Sequence, residues 1–285
     1  MAKSGSTTAD RIVAVLCWAA CAIVCGAFGC ILVEILRAGY AEISWEFLTA
    51  RPSDAGRAGG IGTVLVSTGL VLGVCLVASV PIGVGAATWL SEFTTPESQR
   101  ARLVTGCVNL LASVPSIIFG LFGMVFFSRM LNLGLSILSG GLTLACMVLP
   151  VVIQTTYAGL RSAPDELRLG AAALGLSRTS TLWHLLFPAA THGVVAGLLL
   201  SLGRAMAETA ALIFTSGYAT RMPESLLDSG RTLSVHIYDL ALNVTGGESR
   251  AYASACLLMA TLLIINLTTS TLAEAWLRKR QVASG

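Results

Sequence analysis

The sequence predicts an all-α, polytopic membrane protein with six transmembrane helices, and three observations carry that prediction. Hydrophobic residues make up 55% and charged residues only 12% of 285 positions, against roughly 25% charged in an ordinary globular domain. The apolar residues gather into six runs, 12–33, 58–91, 103–128, 130–160, 179–203 continuing to 219, and 251–273, each reaching the ~20 residues a helix needs to cross a hydrocarbon core. Lipid offers backbone N–H and C=O groups no partner, so helices are the spanning element expected.

The first run is too long for a signal-peptide core of about 7–15 residues and lacks a small-residue cleavage site, despite a faint lipobox at Phe28-Gly29-Cys30. It reads as a retained helix. Within it Cys17, Cys21 and Cys25 recur at a spacing that stacks them on one helix face. With no histidine or acid in the run, they and the other five cysteines read as small packing residues, and no disulfide framework is implied. Residues 37–60 form a polar outer loop. The run 58–91 exceeds one span, so part of it should lie outside the core. Residues 92–102 make an inner turn, with Thr94-Thr95-Pro96-Glu97 reading as a helix start.

The run 103–128 contains Pro115, which bends a helix and frees a carbonyl. Ser113 and Ser116 can satisfy the freed groups. The alternative is that Asn109, Ser113 and Ser116 face a path through the membrane. Residues 129–135 form a tight outer turn, and 217–250 a second long outer loop whose 232–240 stretch can lie as a short interfacial helix. Gly69/Gly73 and Gly193/Gly197 are small-xxx-small pairs suited to close helix contact.

Six crossings put both termini on one side. An inner N-terminus places ten basic residues in the cytoplasm, including Lys3 and the Arg278-Lys279-Arg280 cluster, against seven outside. The net charge of +3 follows from this topology, and no nucleic-acid partner is implied.

Between the fourth and fifth runs lies 164–188, a charged then amphipathic segment. Pro164, Asp165 and Glu166 suit a helix start. Ala171, Ala172 and Ala173 form a strong helix with little bulk. Gly175 fits the position after the helix end, and Pro188 marks where the next span begins. A membrane protein rarely carries such a loop unless another protein grips it.

Arg204 and Glu208 stand four residues apart in an apolar run, which would place them on one helix face. A charge at the bilayer centre costs about 2.5–3.5 kcal/mol on insertion scales. Either the two pair with each other, or the Arg204 guanidinium offers its planar fork to an oxyanion in transit while Glu208 orients it.

These features together resemble the permeases of phosphate ABC importers, the PstA type within the ABC transporter type-1 transmembrane family. The resemblance rests on Gly59-Gly60-Ile61, Val114-Pro115-Ser116-Ile117 with Gly120, Leu149-Pro150-Val151-Val152-Ile153, the 164–188 loop, Arg204-Ala205-Met206-Ala207-Glu208-Thr209-Ala210 and the 232–241 stretch. It implies a type I ABC importer permease fold, with 59–275 as the transmembrane domain, 1–58 an N-terminal tail, first helix and outer loop, and 276–285 a cytoplasmic tail. The loop resembles the EAA loop that docks on an ATPase, with Gly175, Leu185 and Pro188 in register and Leu169 where that motif carries glutamate. Implied contacts with the ATPase are Asp165, Glu166, Ala171, Ala172, Gly175 and Pro188. Implied path residues are Arg204, Glu208, Asn109, Ser113 and Ser116.

The resemblance further implies partners: a homologous PstC-type permease, two ATP-binding PstB-type subunits and an extracytoplasmic PstS-type phosphate-binding protein, all at a bacterial inner membrane, with lipid around the bundle. No cofactor or metal is expected. The chain has only Lys3 and Lys279, neither in a Gly-Lys-Ser/Thr loop, so it carries no ATP site of that kind and is not expected to be an enzyme. The Arg-Ala-x-x-Glu element alone would also suit a sulfate or molybdate permease. An ion-coupled secondary transporter with Glu208 titrating is the rival of a different class.

Overall fold

The computed structural model describes residues 8–95 and 97–283, with side chains from 10 onward except those of His192 and 272–283. Lys3, Pro96 and the side chains of the 278–280 cluster therefore lie outside the described residues. Twelve α-helices and one two-stranded ribbon make up the described fold. In chain order they are α1 (Thr8–Tyr40), α2 (Trp45–Thr49), β1 (Pro52–Ser53), β2 (Ala58–Gly59), α3 (Gly62–Glu92), α4 (Gln99–Ser113), α5 (Ser116–Gly123), α6 (Ile137–Arg161), α7 (Asp165–Ala173), α8 (Arg178–Thr181), α9 (Phe187–Met206), α10 (Ala210–Thr215), α11 (Leu233–Leu242) and α12 (Glu248–Ala283). The ribbon is antiparallel, with Pro52 opposite Gly59.

Four helices, α1, α3, α6 and α12, are each long and apolar enough to cross a membrane, and two bent pairs bring the candidate spans to six. The first bend is the one that Pro115 predicts, and the second corrects the expectation of a continuous fifth run. At Val114-Pro115 the chain turns by 99° between α4 and α5, because proline cannot donate to the ladder and excludes the residue before it from helical geometry. The fifth span bends by 61° beyond Thr191. It then ends at Met206, well before residue 219. The start of α4 is likewise not at Thr94: Ser98 is its cap, its hydroxyl accepting from the Ala101 N–H at 3.1 Å.

α6 is the centre of the bundle, with 67% of its most apolar window buried, whereas α1 has none. Leu144 and Val148 of α6 are fully enclosed with Val71 and Cys75 of α3 and Leu212 of α10. α6 and α9 cross where Gly193 meets Gly159: a Cβ on Gly193 would lie 2.5 Å from the Gly159 Cα. One turn on, Gly197 abuts the Thr155 hydroxyl. This is the close seam that the Gly193/Gly197 pair predicts. Gly69 and Gly73 differ, since both face open space in this chain. The cysteines also depart from expectation. Cys17, Cys21, Cys25 and Cys30 are exposed because α1 packs on little besides α12, Cys107 is exposed on α4, and only Cys75 and Cys256 are buried.

The segment 217–250, with the end of α10, folds back to cap α6. The Ser136, Ile137 and Leu138 N–H groups donate to the carbonyls of Thr215, Asp228 and Leu226 at 3.0, 2.9 and 2.9 Å, satisfying donors that a helix start leaves free. The 232–240 helix exists as α11, but it is packed inward, with Leu233, Val235, His236 and Leu240 buried.

Candidate functional site

Two places hold the residues the sequence singles out. The first is α7. Pro164 precedes it, and Asp165 and Glu166 occupy its first turn, exposed, where the helix dipole favours negative charge. Its end is closed by two reverse hydrogen bonds, Leu176 N–H to the Ala171 carbonyl at 2.9 Å and Gly175 N–H to the Ala172 carbonyl at 3.0 Å. That double closure needs a left-handed residue after the cap, and Gly175 supplies it with φ +69°. The glycine is required by its backbone angle alone, since nothing stands within 4 Å of where its Cβ would be. Pro188 falls in the first turn of α9, after π-helical residues Leu182–Leu186.

One expected contact residue is corrected here. Ala171 is 2% exposed and faces this chain's own core, because a single helix of nine residues must turn one side inward. Ala172 remains exposed. Around it stand apolar side chains left in the open, Leu169 at 70%, Leu174 at 79% and Leu176 at 41% exposure. Leu169, at the motif glutamate position, thus presents an apolar surface where an acid is expected.

Arg168, which sequence reasoning passed over, fixes α7 to the bundle. Its Nε and one terminal nitrogen donate to both Glu92 carboxylate oxygens at 3.2 and 2.8 Å. That terminal nitrogen also reaches the Leu160 carbonyl at 2.9 Å, and the other reaches the Ala163 carbonyl at 3.0 Å and the Asp165 carboxylate at 3.2 Å. The Glu92 side chain is 12% exposed and that of Arg168 22%. The bond from Arg168 to Glu92 raises the guanidinium pKa above its ordinary value, against a smaller opposing effect of burial, so the group stays charged. The available signal was Glu92 itself, an acid at the edge of a long apolar run.

The second place is the broken membrane interior. Arg204 and Glu208 do not share a helix face, which corrects that expectation. α9 ends at Met206, and the Glu208 carboxylate turns to accept the Ala211 N–H at 3.2 Å, beginning α10. The Ser234 hydroxyl of α11 donates to the Glu208 carbonyl at 2.6 Å and pins the break. Among the described residues no ion pair joins Arg204 to Glu208. Arg204 is exposed at the end of α9, because no other element of this chain covers that face. No proline stands between Arg204 and Ala211 to announce the break.

Asn109, Ser113 and Ser116 lie along the other broken pair. Asn109 is exposed on α4 and accepts from the Gln154 side-chain amide of α6 at 3.1 Å. Ser113 donates to the Leu110 carbonyl at 2.7 Å, which is free because the Val114 N–H bonds Leu111 instead. Ser116 is half-buried at the start of α5. Arg102, Thr105, Asn109 and Ser113 recur at helical spacing and are all exposed, making a polar stripe on α4. Part of it lines a cavity of about 390 Å³ with Tyr157. Gln154, Arg102 and Thr105 were missed because single polar residues at span edges are common.

The two breaks stand close together. A Cβ on Gly120 of α5 would lie 2.8 Å from the Ala211 Cα, and one on Gly123 would lie 2.9 Å from the Thr215 side chain. These matched steps run α5 and α10 side by side in the same direction, with their starts within about one turn of each other. Pro115-Ser116 and Glu208 therefore sit at similar depth. No hydrogen bond in the described residues joins Arg204 to Asn109, Ser113 or Ser116.

This arrangement of broken spans around a central helix, with a small anchored helix between the fourth and fifth, is that of an importer permease. Residues 79–280 match the family described as binding-protein-dependent transport system inner membrane component, and the chain belongs to that family. Within it the chain is 30% identical over 261 residues to the probable ABC transporter permease protein YqgI of Bacillus subtilis, covering 86% of this chain and 87% of that protein. It is 32% identical to the phosphate transport system permease protein PstA 1 of Mycobacterium tuberculosis, covering 79% of this chain and 73% of that protein. The PstA homolog of Mycoplasma pneumoniae is 36% identical over 62% of this chain, which spans only 28% of that longer protein. Among solved structures, a bacterial ABC transporter involved in import of the acidic polysaccharide alginate superposes with a TM-score of 0.63 at 14% identity, covering 90% of this chain and 96% of that one. At that identity the likeness concerns the fold. A multi-pass inner-membrane permease of the ABC importer type follows, working with ATPase and substrate-binding subunits.

Proposed function

We propose that this chain is a PstA-type permease that carries inorganic phosphate across the cytoplasmic membrane, driven by ATP hydrolysis in a separate subunit. The observation that carries the reading is α7, a short helix closed at its C-terminal end and held by Arg168, with Leu169, Leu174 and Leu176 exposed beside it. Apolar side chains left open on a fixed knob are what a partner protein covers. The PstA names of relatives support phosphate as the substrate.

On this reading both termini and α7 are cytoplasmic, and 59–275 is the transport domain. A PstB-type ATPase seats on Ala172, Leu169 and the start of the helix at Asp165 and Glu166. A PstC-type permease covers the open face that carries Arg204 and the α4 stripe. A PstS-type protein delivers phosphate from outside. Arg204 meets the anion, since guanidinium presents a rigid donor fork to phosphate oxygens. Asn109, Ser113 and Ser116 supply neutral polar contacts near it, and Glu208 holds the start of α10 in place.

The test is uptake in a strain lacking its own phosphate importers, supplied with this chain and its partner subunits. Phosphate entry should require the ATPase and exceed sulfate and molybdate entry, and Arg204→Gln should lower it at least tenfold with assembly intact. Uptake that persists without an ATPase, or that favours sulfate or molybdate, overturns the reading.

A further inference from the structure

The chain joins α7 to the bundle on two sides, through Ser162, Ala163 and Pro164 to the end of α6 and through residues 174–177 to α8 and α9. Nothing covalent ties it to α3, whose last residue, Glu92, lies 76 positions earlier in the sequence. The Arg168 guanidinium closes that gap. All five of its N–H groups are used: two on Glu92, one each on the Leu160 and Ala163 carbonyls at the end of α6, and one on Asp165 of α7 itself. Glu92 is held in turn by the Ser91 hydroxyl, which donates to it at 2.7 Å. A fork engaged on two oxygens fixes orientation as well as distance, which a single lysine nitrogen cannot do.

We infer that the Glu92–Arg168 bridge is the linkage through which displacement of α7 reaches α3, so that α3 and α6 move as one body. The inference rests on the reading of α7 as the ATPase contact and adds to it positioning residues that touch neither ATPase nor substrate. α3 and α6 run side by side in the same direction, with Gly141 against Val74 and Gly83 against Val152. Without the bridge, a push on α7 passes along the chain into α6 and α9 but has no direct route into α3. The knob then still seats, but the packed pair shears instead of travelling together. Asp165 adds little to this joint, because its side chain is 87% exposed and water screens exposed pairs.

The experiment uses the whole importer in proteoliposomes, with Glu92→Gln and Arg168→Lys compared with the unmodified complex. Three quantities are read: ATPase retained on purification, ATP hydrolysed and phosphate moved per ATP. Glu92→Gln keeps the shape of the side chain and removes its charge; Arg168→Lys keeps the charge and removes the fork. Both should retain the ATPase and hydrolyse ATP while moving at least fivefold less phosphate per ATP. Unchanged phosphate per ATP in both variants overturns the linkage and leaves the docking reading standing. Loss of the ATPase from both variants overturns it too, since the bridge would then only shape the docking surface. If the unmodified chain fails to retain an ATPase at all, the docking reading itself falls.

Discussion

Acidification should weaken this fold at His236. Its ring sits on α11 at 1% exposure, against the Gly56 backbone, where a Cβ would lie 3.0 Å from the ring carbon Cε1. Burial first, and then the charge of Arg231, hold its pKa down at about 4 from an ordinary 6.5, with Asp239 opposing weakly. The neutral ring is therefore the folded form at neutral pH. Above about pH 6.5 neither the folded nor the unfolded state carries the proton and the contribution is fully present. As pH falls from 6.5 the unfolded chain takes up a proton that the folded chain refuses until about 4, so stability is lost across that window. A difference of this size converts to about 3 kcal/mol at most, at ~1.36 kcal/mol per unit. The assay is unfolding of the purified chain in detergent by graded SDS at pH 7.5 and pH 4.5, beside His236→Gln. The unmodified chain should lose about 2.5 kcal/mol more than the variant over that interval, and taking the difference removes the titration of every other group. Equal pH dependence in the two proteins would refute the argument, since it would mean that the ring is either already charged in the fold or reached by water.

Gly175→Val should disrupt the end of α7, because a β-branched residue at φ +69° costs on the order of 1–2 kcal/mol; ATPase retention on purification should drop about tenfold, and unchanged retention would exclude that turn from the contact. Gly193→Ala should destabilise the isolated chain by about 1–3 kcal/mol, because its Cβ meets the Gly159 backbone. Gly69→Ala serves as the comparison, since that position faces open space and alanine is the better helix former; equal effects in SDS unfolding would refute the α6–α9 seam.

Much of this protein was legible along the chain. Composition dictates lipid as the surrounding medium, and lipid dictates helices. Gly175, set after three alanines, reads as a left-handed helix end and is one, because that motif is built from six consecutive residues and needs nothing distant. Gly193 and Gly197 mark a seam for the same kind of reason: they are missing side chains, and a missing side chain in a span invites a neighbour. The same spacing at Gly69 and Gly73 misleads, since whether a neighbour arrives depends on how the helices are arranged.

Local pattern determined the medium, the helical class, the knob and the position of its closing turn. Tertiary structure alone decided that Glu92 and Arg168 meet across 76 residues, that Ala171 turns inward, and that Arg204 and Glu208 part. The i to i+4 rule holds only while the helix continues. Here the Ser234 hydroxyl, brought in by the packing of α11, binds the Glu208 carbonyl, and the Glu208 side chain turns to cap the next helix at the Ala211 N–H. Backbone angles and capping are set by neighbours in sequence, whereas the partner of a charge is set by whatever the fold carries to it.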